Sequence, residues 1–176
     1  GLDIEFWMIS REDPLTGLIS AVPFSPSNVL QNSGSAGDVL LQSRDQVMFF
    51  SDRRARGPQL EGLIAALRVQ ARAGELAKVV SIAGSRLSGT FPLVEAMRIS
   101  DLLENGGGLQ ANYADLDYAL LVREELADEG DVSVFGVDLR AVLATPGGEH
   151  DVSLLPKDQV ILFSKNERFF EFNPMV

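Results

Sequence analysis

HDVSLLPKDQVILFSK, residues 150–165, has an earlier counterpart in GDVLLQSRDQVMFFSD, residues 37–52. Each carries Asp-Val, then leucine, then Asp-Gln-Val at the head of a short apolar run that closes on Phe-Ser. Working outward, YALLVRE (118–124) answers FWMISRE (6–12), and FGVDLRAVL (135–143) answers VPFSPSNVL (22–30). Arg11-Glu12 stands opposite Arg123-Glu124, Val29-Leu30 opposite Val142-Leu143, and Asp38-Val39 opposite Asp151-Val152. Asp45-Gln46-Val47 stands opposite Asp158-Gln159-Val160. The order is kept, with a register shift of one residue across the middle. Ordered self-similarity of this kind means two copies of one structural unit.

The unit has a clear local reading. Phe6–Arg11 and Tyr118–Arg123 are short apolar runs, which predicts buried strands. A polar turn leads to a second strand, Leu18–Phe24 or Val132–Val137, and then to a helical turn, Ser27–Gln31 or Leu139–Ala144. Asp138 is placed to cap the second of these turns and Ser25 or Ser27 the first. The prolines at 14, 23 and 26 punctuate these pieces and forbid one long element over residues 13–30. The last strand is Val47–Phe50 or Val160–Phe163. Asp38 and Asp151 recur ahead of it, which predicts a shared hydrogen bond in the turn.

Only the second copy has a front half. VVSIAGSRLSGTFPL (79–93) reads as strand, turn, strand, with Gly84 and Gly89 bracketing the turn. RISDLLENGGGL (98–109) reads as a short helix, with Ser100 as N-cap and Gly106–Gly108 as a left-handed stop. Strand, strand, helix, strand, strand, short helix, strand fits an α+β chain with a β-grasp (ubiquitin-like) domain, a small mixed sheet holding one helix across its face. Between the copies, Leu60, Leu63, Ile64, Leu67 and Ala71 recur at helical spacing, with Pro58 in the first turn and Gly74 at the end. Arg53, Arg54 and Arg56 precede that helix and read as a solvated basic linker. The expected division is a partial first copy over 1–54, a linking helix over 55–76, a complete domain over 77–168 and an extension over 169–176. A half copy has an unpaired strand edge and an uncovered face. Either the 57–75 helix of the same chain would have to cover it, or a second chain in an edge-paired or domain-swapped dimer.

Composition excludes several classes. The 176 residues carry a net charge of −10 with a pI near 4.5, which disfavours nucleic acid and anionic membrane surfaces as partners. No cysteine means no disulfide, thiol nucleophile or iron–sulfur cluster, and one histidine, His150, argues against a His-built metal site or a Ser-His-Asp triad. No cofactor is expected. No apolar run approaches the roughly 20 residues of a membrane helix. The absence of an initiating Met and of a signal peptide reads as an excerpt of a longer protein.

The ordered motifs carry a resemblance. VVSIAGSRLSGTFPL, ISDLLENGGGL, ANYADLDYALLVRE and VDLRAVL…DVSLLPKDQVILFS resemble a soluble-ligand-binding β-grasp (SLBB) domain. Phe91-Pro92-Leu93, Gly107-Gly108-Leu109, Tyr113, Arg123 and Leu154-Leu155-Pro156-Lys157-Asp158 fill the places of that family's pattern, while Ser88-Gly89 replaces its common Pro-Gly. With the preceding half copy, the chain is similar to outer-membrane polysaccharide export proteins of the Wza-like type. The resemblance implies a non-enzymatic periplasmic segment, outer-membrane associated through its parent protein. It also implies a homo-oligomeric ring that passes capsular polysaccharide or exopolysaccharide, with an inner-membrane polysaccharide co-polymerase as a partner. The alternative is a stand-alone glycan- or small-ligand-binding module of the same fold. The SLBB part of a redox enzyme is disfavoured by the missing cysteines, and a DNA-uptake protein by the negative charge.

No residue set reads as catalytic. Glu124, Glu125, Asp128 and Glu129 flank Gly130 in a hairpin loop, where solvated turn residues are the simpler reading than paired acids. Gly106–Gly108 follow a helix, whereas a phosphate cradle precedes one. Candidate contacts to saccharide or a neighbouring subunit are Arg86, Ser88, Tyr113 and Arg123. Trp7 and Phe91 join Tyr113 as aromatics able to stack on sugar, against core packing as the ordinary use of such side chains. Phe169, Phe170 and Phe172 crowd the C-terminus as packing or docking residues.

Overall fold

Strand β1 (Trp7–Glu12) lies between β2 (Ile19–Phe24) and β3 (Gln46–Met48), antiparallel to both. These are the strands of the first copy, and they form a sheet of order β2-β1-β3. Helix α1 (Pro26–Gln31) follows β2. Ser25 caps it by accepting the Asn28 N–H, and Pro26 sits where a missing N–H costs nothing. The computed structural model describes residues 1–35, 37–71, 76–84, 87–124 and 131–165.

The second sheet has the order β5-β4-β8-β6-β7. Strand β4 (Val79–Ala83) forms a hairpin with β5 (Gly89–Pro92), and β6 (Ala114–Glu124) another with β7 (Val132–Val137). At the centre, β8 (Gln159–Ser164) runs antiparallel to β6 and parallel to β4. A bulge interrupts the β6–β8 pairing between Ala114 and Ala119, so β6 begins earlier than the Tyr118 expected from hydrophobicity. Helix α4 (Ile99–Asn105) crosses one face, and α5 (Leu139–Ala144), capped by Asp138 through the Ala141 N–H, precedes the last strand. The described residues thus make an α+β fold of two sheets and five helices.

Gly84 ends β4 at φ +93°, and a Cβ there would stand 2.1 Å from the Leu162 carbonyl oxygen. Only glycine lets the hairpin turn away this close to β8. At the end of α4, Gly107 and Gly108 take positive φ, the left-handed stop that three consecutive glycines predict. The start of α4 differs from expectation. Arg98 is the N-cap residue, and its N–H donates to Asp101 Oδ2 at 2.8 Å. Ser100 lies inside the helix, and its N–H and hydroxyl reach the Asp151 carboxylate at 3.0 and 2.6 Å. A carboxylate from the far turn therefore satisfies a helix N–H that the sequence assigns to a local serine.

The linking segment folds as α2 (Arg56–Gln59) and α3 (Glu61–Gln70). The proposed stop at Gly74 lies outside the described residues. Leu63, Ile64 and Leu67 of α3 are buried, and the helix touches β2 of one sheet and β4 and β5 of the other. Its end is tied to the first sheet by Gln70, whose amide accepts the Ile19 N–H and donates to the Ile19 carbonyl, both at 2.7 Å. This side chain occupies the outer edge of β2 as a strand would. Phe6, Met8 and Phe50 of the first copy, the α3 leucines, and Val80, Leu103, Leu121 and Leu162 of the second copy belong to one continuous core.

Candidate functional site

A cleft of about 780 Å³ lies between the first copy and the end of α4. Residues 51–56 form one wall and the Gly106–Gly108 turn the other, with Asp3, Glu5 and Phe24 at the floor and rim. Arg56 builds it. Its Nε and Nη2 donate to Asp3 Oδ2 at 2.9 and 2.6 Å, and its Nη1 donates to the Glu104 carbonyl at 2.7 Å. The guanidinium also lies 4.4 Å over the Phe6 ring. One side chain thus joins the N-terminal segment, an aromatic face and the negative end of α4. Arg53 and Arg54 are exposed, as a solvated basic linker predicts, whereas Arg56 departs from that reading because Asp3 and the α4 carbonyls are in reach. The chain brings these groups together from positions about 50 residues apart, so neighbouring sequence carries no signal for them.

The cleft presents both signs of charge, from Arg53 and Arg54 against Glu5, Asp52 and Glu104, with serine and amide groups between them. Such a lining can hydrogen-bond a hydroxyl-rich ligand. The Gly106, Gly107 and Gly108 N–H groups donate to the carbonyls of Leu102, Glu104 and Leu103 at 2.9–3.0 Å. They are consumed by the helix end and make no phosphate cradle.

The candidate contact residues fall at two ends of the larger sheet. Ser88 is exposed in the β4–β5 hairpin, where its Oγ accepts the Gly84 N–H at 3.3 Å. Tyr113 is exposed just before β6 and its carbonyl accepts the Lys165 N–H. Both sit toward the C-terminal end of β8, since Ala114 pairs with Ser164 and Gly84 abuts Leu162. Arg123 is near the other end of β6, roughly 30 Å away at about 3.3 Å per residue. Arg86 lies outside the described residues, as do Glu125, Asp128, Glu129, Gly130 and the three C-terminal phenylalanines. Glu124 makes an exposed ion pair with Lys157 at 2.9 Å. Phe91 is a core residue; Trp7 is half-buried, edge-on to Phe49 and Phe24 at 4.5 and 5.9 Å.

Arg123 has a defined structural partner. Its Nε and Nη2 donate to Asp158 Oδ1 and Oδ2 at 2.9 and 2.7 Å, and Nη2 also reaches the Ser153 carbonyl at 3.0 Å. Asp158 is fully buried and accepts the Leu155 N–H at 2.8 Å as well. The first copy reproduces this bond for bond. Arg11 donates to Asp45 at 2.9 and 2.7 Å and to the Leu40 carbonyl at 3.0 Å, and Asp45 accepts the Gln42 N–H at 2.8 Å. The hydrogen bonds from Arg11 hold the Asp45 carboxyl below its ordinary pKa, against a smaller opposing effect of burial. The repeated Arg and the repeated Asp are thus each other's partners, a pairing that the alignment of the two copies already contained. The Asp turn expected at 38 and 151 is also present in both: Gly34 N–H donates to Asp38 and Gly147 N–H to Asp151, at 2.9 and 2.8 Å.

Among the described residues no three His, Cys, Asp or Glu side chains cluster to hold a metal, and no helix is long and apolar enough to cross a membrane. No family model matches the chain, and no curated protein matches its sequence.

Proposed function

We propose that the chain is a periplasmic, non-catalytic segment of a capsular polysaccharide or exopolysaccharide export translocon, built from one complete SLBB-type β-grasp domain and the back half of another. The observation that carries the reading is the internal repeat, in which the motif residues of the resemblance, Arg123 and Asp158, recur as Arg11 and Asp45 with the same hydrogen bonds. The sheet order β5-β4-β8-β6-β7, with its parallel central pair and α4 across one face, supports the β-grasp assignment. The segment would act in ring assembly and in the passage of polysaccharide, with subunit contacts of its own kind and an inner-membrane co-polymerase as neighbour. Ser88 and Tyr113 are the proposed contacts at one end of the sheet and Arg123 at the other, with Arg86 a further proposed contact from the sequence.

Deleting the parent gene and measuring polysaccharide at the cell surface and in the periplasm tests this. Loss outside, with build-up or arrest of synthesis inside, is expected. Unchanged export with no compensating paralogue would sink the proposal. The cleft around Arg56 favours a second reading, a free-standing glycan- or small-ligand-binding module. Saturable binding of one defined saccharide by the isolated chain, abolished by substitutions at Arg53 and Arg54, is the outcome that would select it.

A further inference from the structure

We propose that the open face of the first copy is a docking surface for a strand-and-helix unit of another polypeptide segment, equivalent to what β4, β5 and α4 supply inside the second copy. The proposal does not depend on polysaccharide export.

The two copies present the same face. In the first it carries Trp7 and Ile9 of β1, Val22 and Phe24 of β2, and Val47 and Phe49 around β3. The matching positions in the second are Ala119, Leu121, Phe135, Val137, Val160 and Leu162. There α4 covers the face, since a Cβ on Gly106 would touch Ile82, which pairs with Val160. In the first copy α3 lies on the opposite face, along Ser10 and Met48, with Gly62, Leu63 and Ala66 beside them. Ile9 at the centre is buried as its match Leu121 is, both 0% exposed, so the contrast lies toward β3 and the turn before it. Leu162 is 2% exposed and Leu154 5%, whereas Phe49 is 58% exposed and Leu41 59%.

The edge is open in the same way. In the second copy β4 docks on β8, with the Ser81 N–H donating to the Asp158 carbonyl and the Lys157 N–H to the Val79 carbonyl. Arg44 holds the φ of +70° that matches +67° at Lys157, so the first copy presents its backbone alike at Arg44 and Asp45. No strand lies there among the described residues, because β3 ends the order β2-β1-β3. An unpaired edge is a template for strand addition.

Charge complementarity defines the helix. Asp151 receives the Ser100 N–H and hydroxyl from the first turn of α4. Asp38 makes the same turn bond to Gly34 but is exposed, and among the described residues no helix N-terminus meets it. Its carboxylate suits the positive end of a helix with a Ser- or Thr-type donor. The occupant is therefore a strand that adds in parallel to β3, followed by an amphipathic helix whose start meets Asp38. A second copy of this chain has its own unit engaged in its own sheet, and a glycan would use neither the strand edge nor the helix-end charge.

The chain has no cysteine, so single-cysteine variants of it, made in its own host, give a clean test. Leu41→Cys and Phe49→Cys alter exposed side chains, and Val69→Cys on α3 is the exposed control. Maleimide labelling at 41 and 49 is expected to be about tenfold or more slower than at 69, since a docked segment must open first. A photo-crosslinker at Phe49 should then capture one peptide containing an amphipathic helix, and Asp38→Asn should lower its yield. Equal labelling at all three sites overturns the proposal. So does protection without a cross-linked peptide, a glycan adduct, or a cross-link to the same face of a second copy.

Discussion

Asp45 and Asp158 hold an arginine through the same two bonds and close the same turn, yet they sit in different surroundings. Around Asp158 lie β4 in parallel and, across the sheet, α4. Beside Asp45 lies an unpaired edge, although its carboxylate is only 3% exposed. The local geometry of the repeat therefore does not need the front half of the domain to form. It is encoded within the strand–turn–strand unit by the arginine, the aspartate and the residues with positive φ. What the front half adds is burial of the apolar residues around the pair, Leu154 and Leu162 against Leu41 and Phe49, while both carboxylates are shielded already.

Substitutions at matched positions break or sharpen this comparison. The largest effect is expected at the buried ion pair. Asp158→Ala strands Arg123 and should cost about 3–5 kcal/mol, the range for removing one partner of a buried pair. Asp45→Ala strands Arg11 in the same way, and with the Asp45 side chain 3% exposed it should cost a similar amount, about 3–5 kcal/mol. Urea unfolding midpoints measure both, and a much smaller loss at Asp45 would show that the front half strengthens the pair beyond shielding it from water. Next, Leu154→Ala should cost about 2–4 kcal/mol as a core truncation. Its counterpart Leu41→Ala should stay within about 0.5 kcal/mol in the isolated chain. A large effect at Leu41 would mean that its face is already covered there.

The Asp turns give a smaller contrast. Asp151→Ala removes the acceptor for Gly147 and for both Ser100 donors, and should cost about 2 kcal/mol. Asp38→Ala removes one exposed bond and should cost about 0.5 kcal/mol. The smallest effect is in pH dependence. The folded-state pKa of Asp45 is lowered by Arg11, so its contribution is complete above the ordinary carboxylate value and is lost as pH falls through the lowered one. The stability gap between the natural protein and Asp45→Asn should be constant from about pH 7 to 5 and close below about pH 4. A gap that widens in acid would contradict the assignment of Arg11 as the cause.

Much of this fold was legible from residues. Short apolar runs marked the strands, Ser25 or Ser27 and Asp138 marked the caps of α1 and α5, and the glycine triplet marked the end of α4. The aligned copies foretold the Asp turns. Legibility failed where partners come from distant chain. Ser100 read as an N-cap because a serine before an apolar stretch usually is one, but Asp151 had taken it as a donor. Arg56 read as solvent-facing because its neighbours are arginines, but Asp3 and the end of α4 claim it. Neither Tyr113 and Arg123 at the two ends of β6 nor the cleft around Arg56 could be placed without knowing which elements pack together.

The sequence by itself determined the repeat, its turn chemistry and the order of its elements, because these depend on contacts within about fifteen residues or across one hairpin. It also showed the strand–turn–strand and helix that precede the second unit, over residues 79–109. Only the tertiary structure decided where the linking helix goes. Hydrophobic periodicity says that α3 must bury Leu63, Ile64 and Leu67, but burial is non-directional, and either face of the first sheet would satisfy it. Gln70 on the β2 edge and the packing of α3 against β4 and β5 selected the face that α4 does not use in the second copy. That choice leaves Phe49 and Leu41 in solvent while Leu162 and Leu154 are buried.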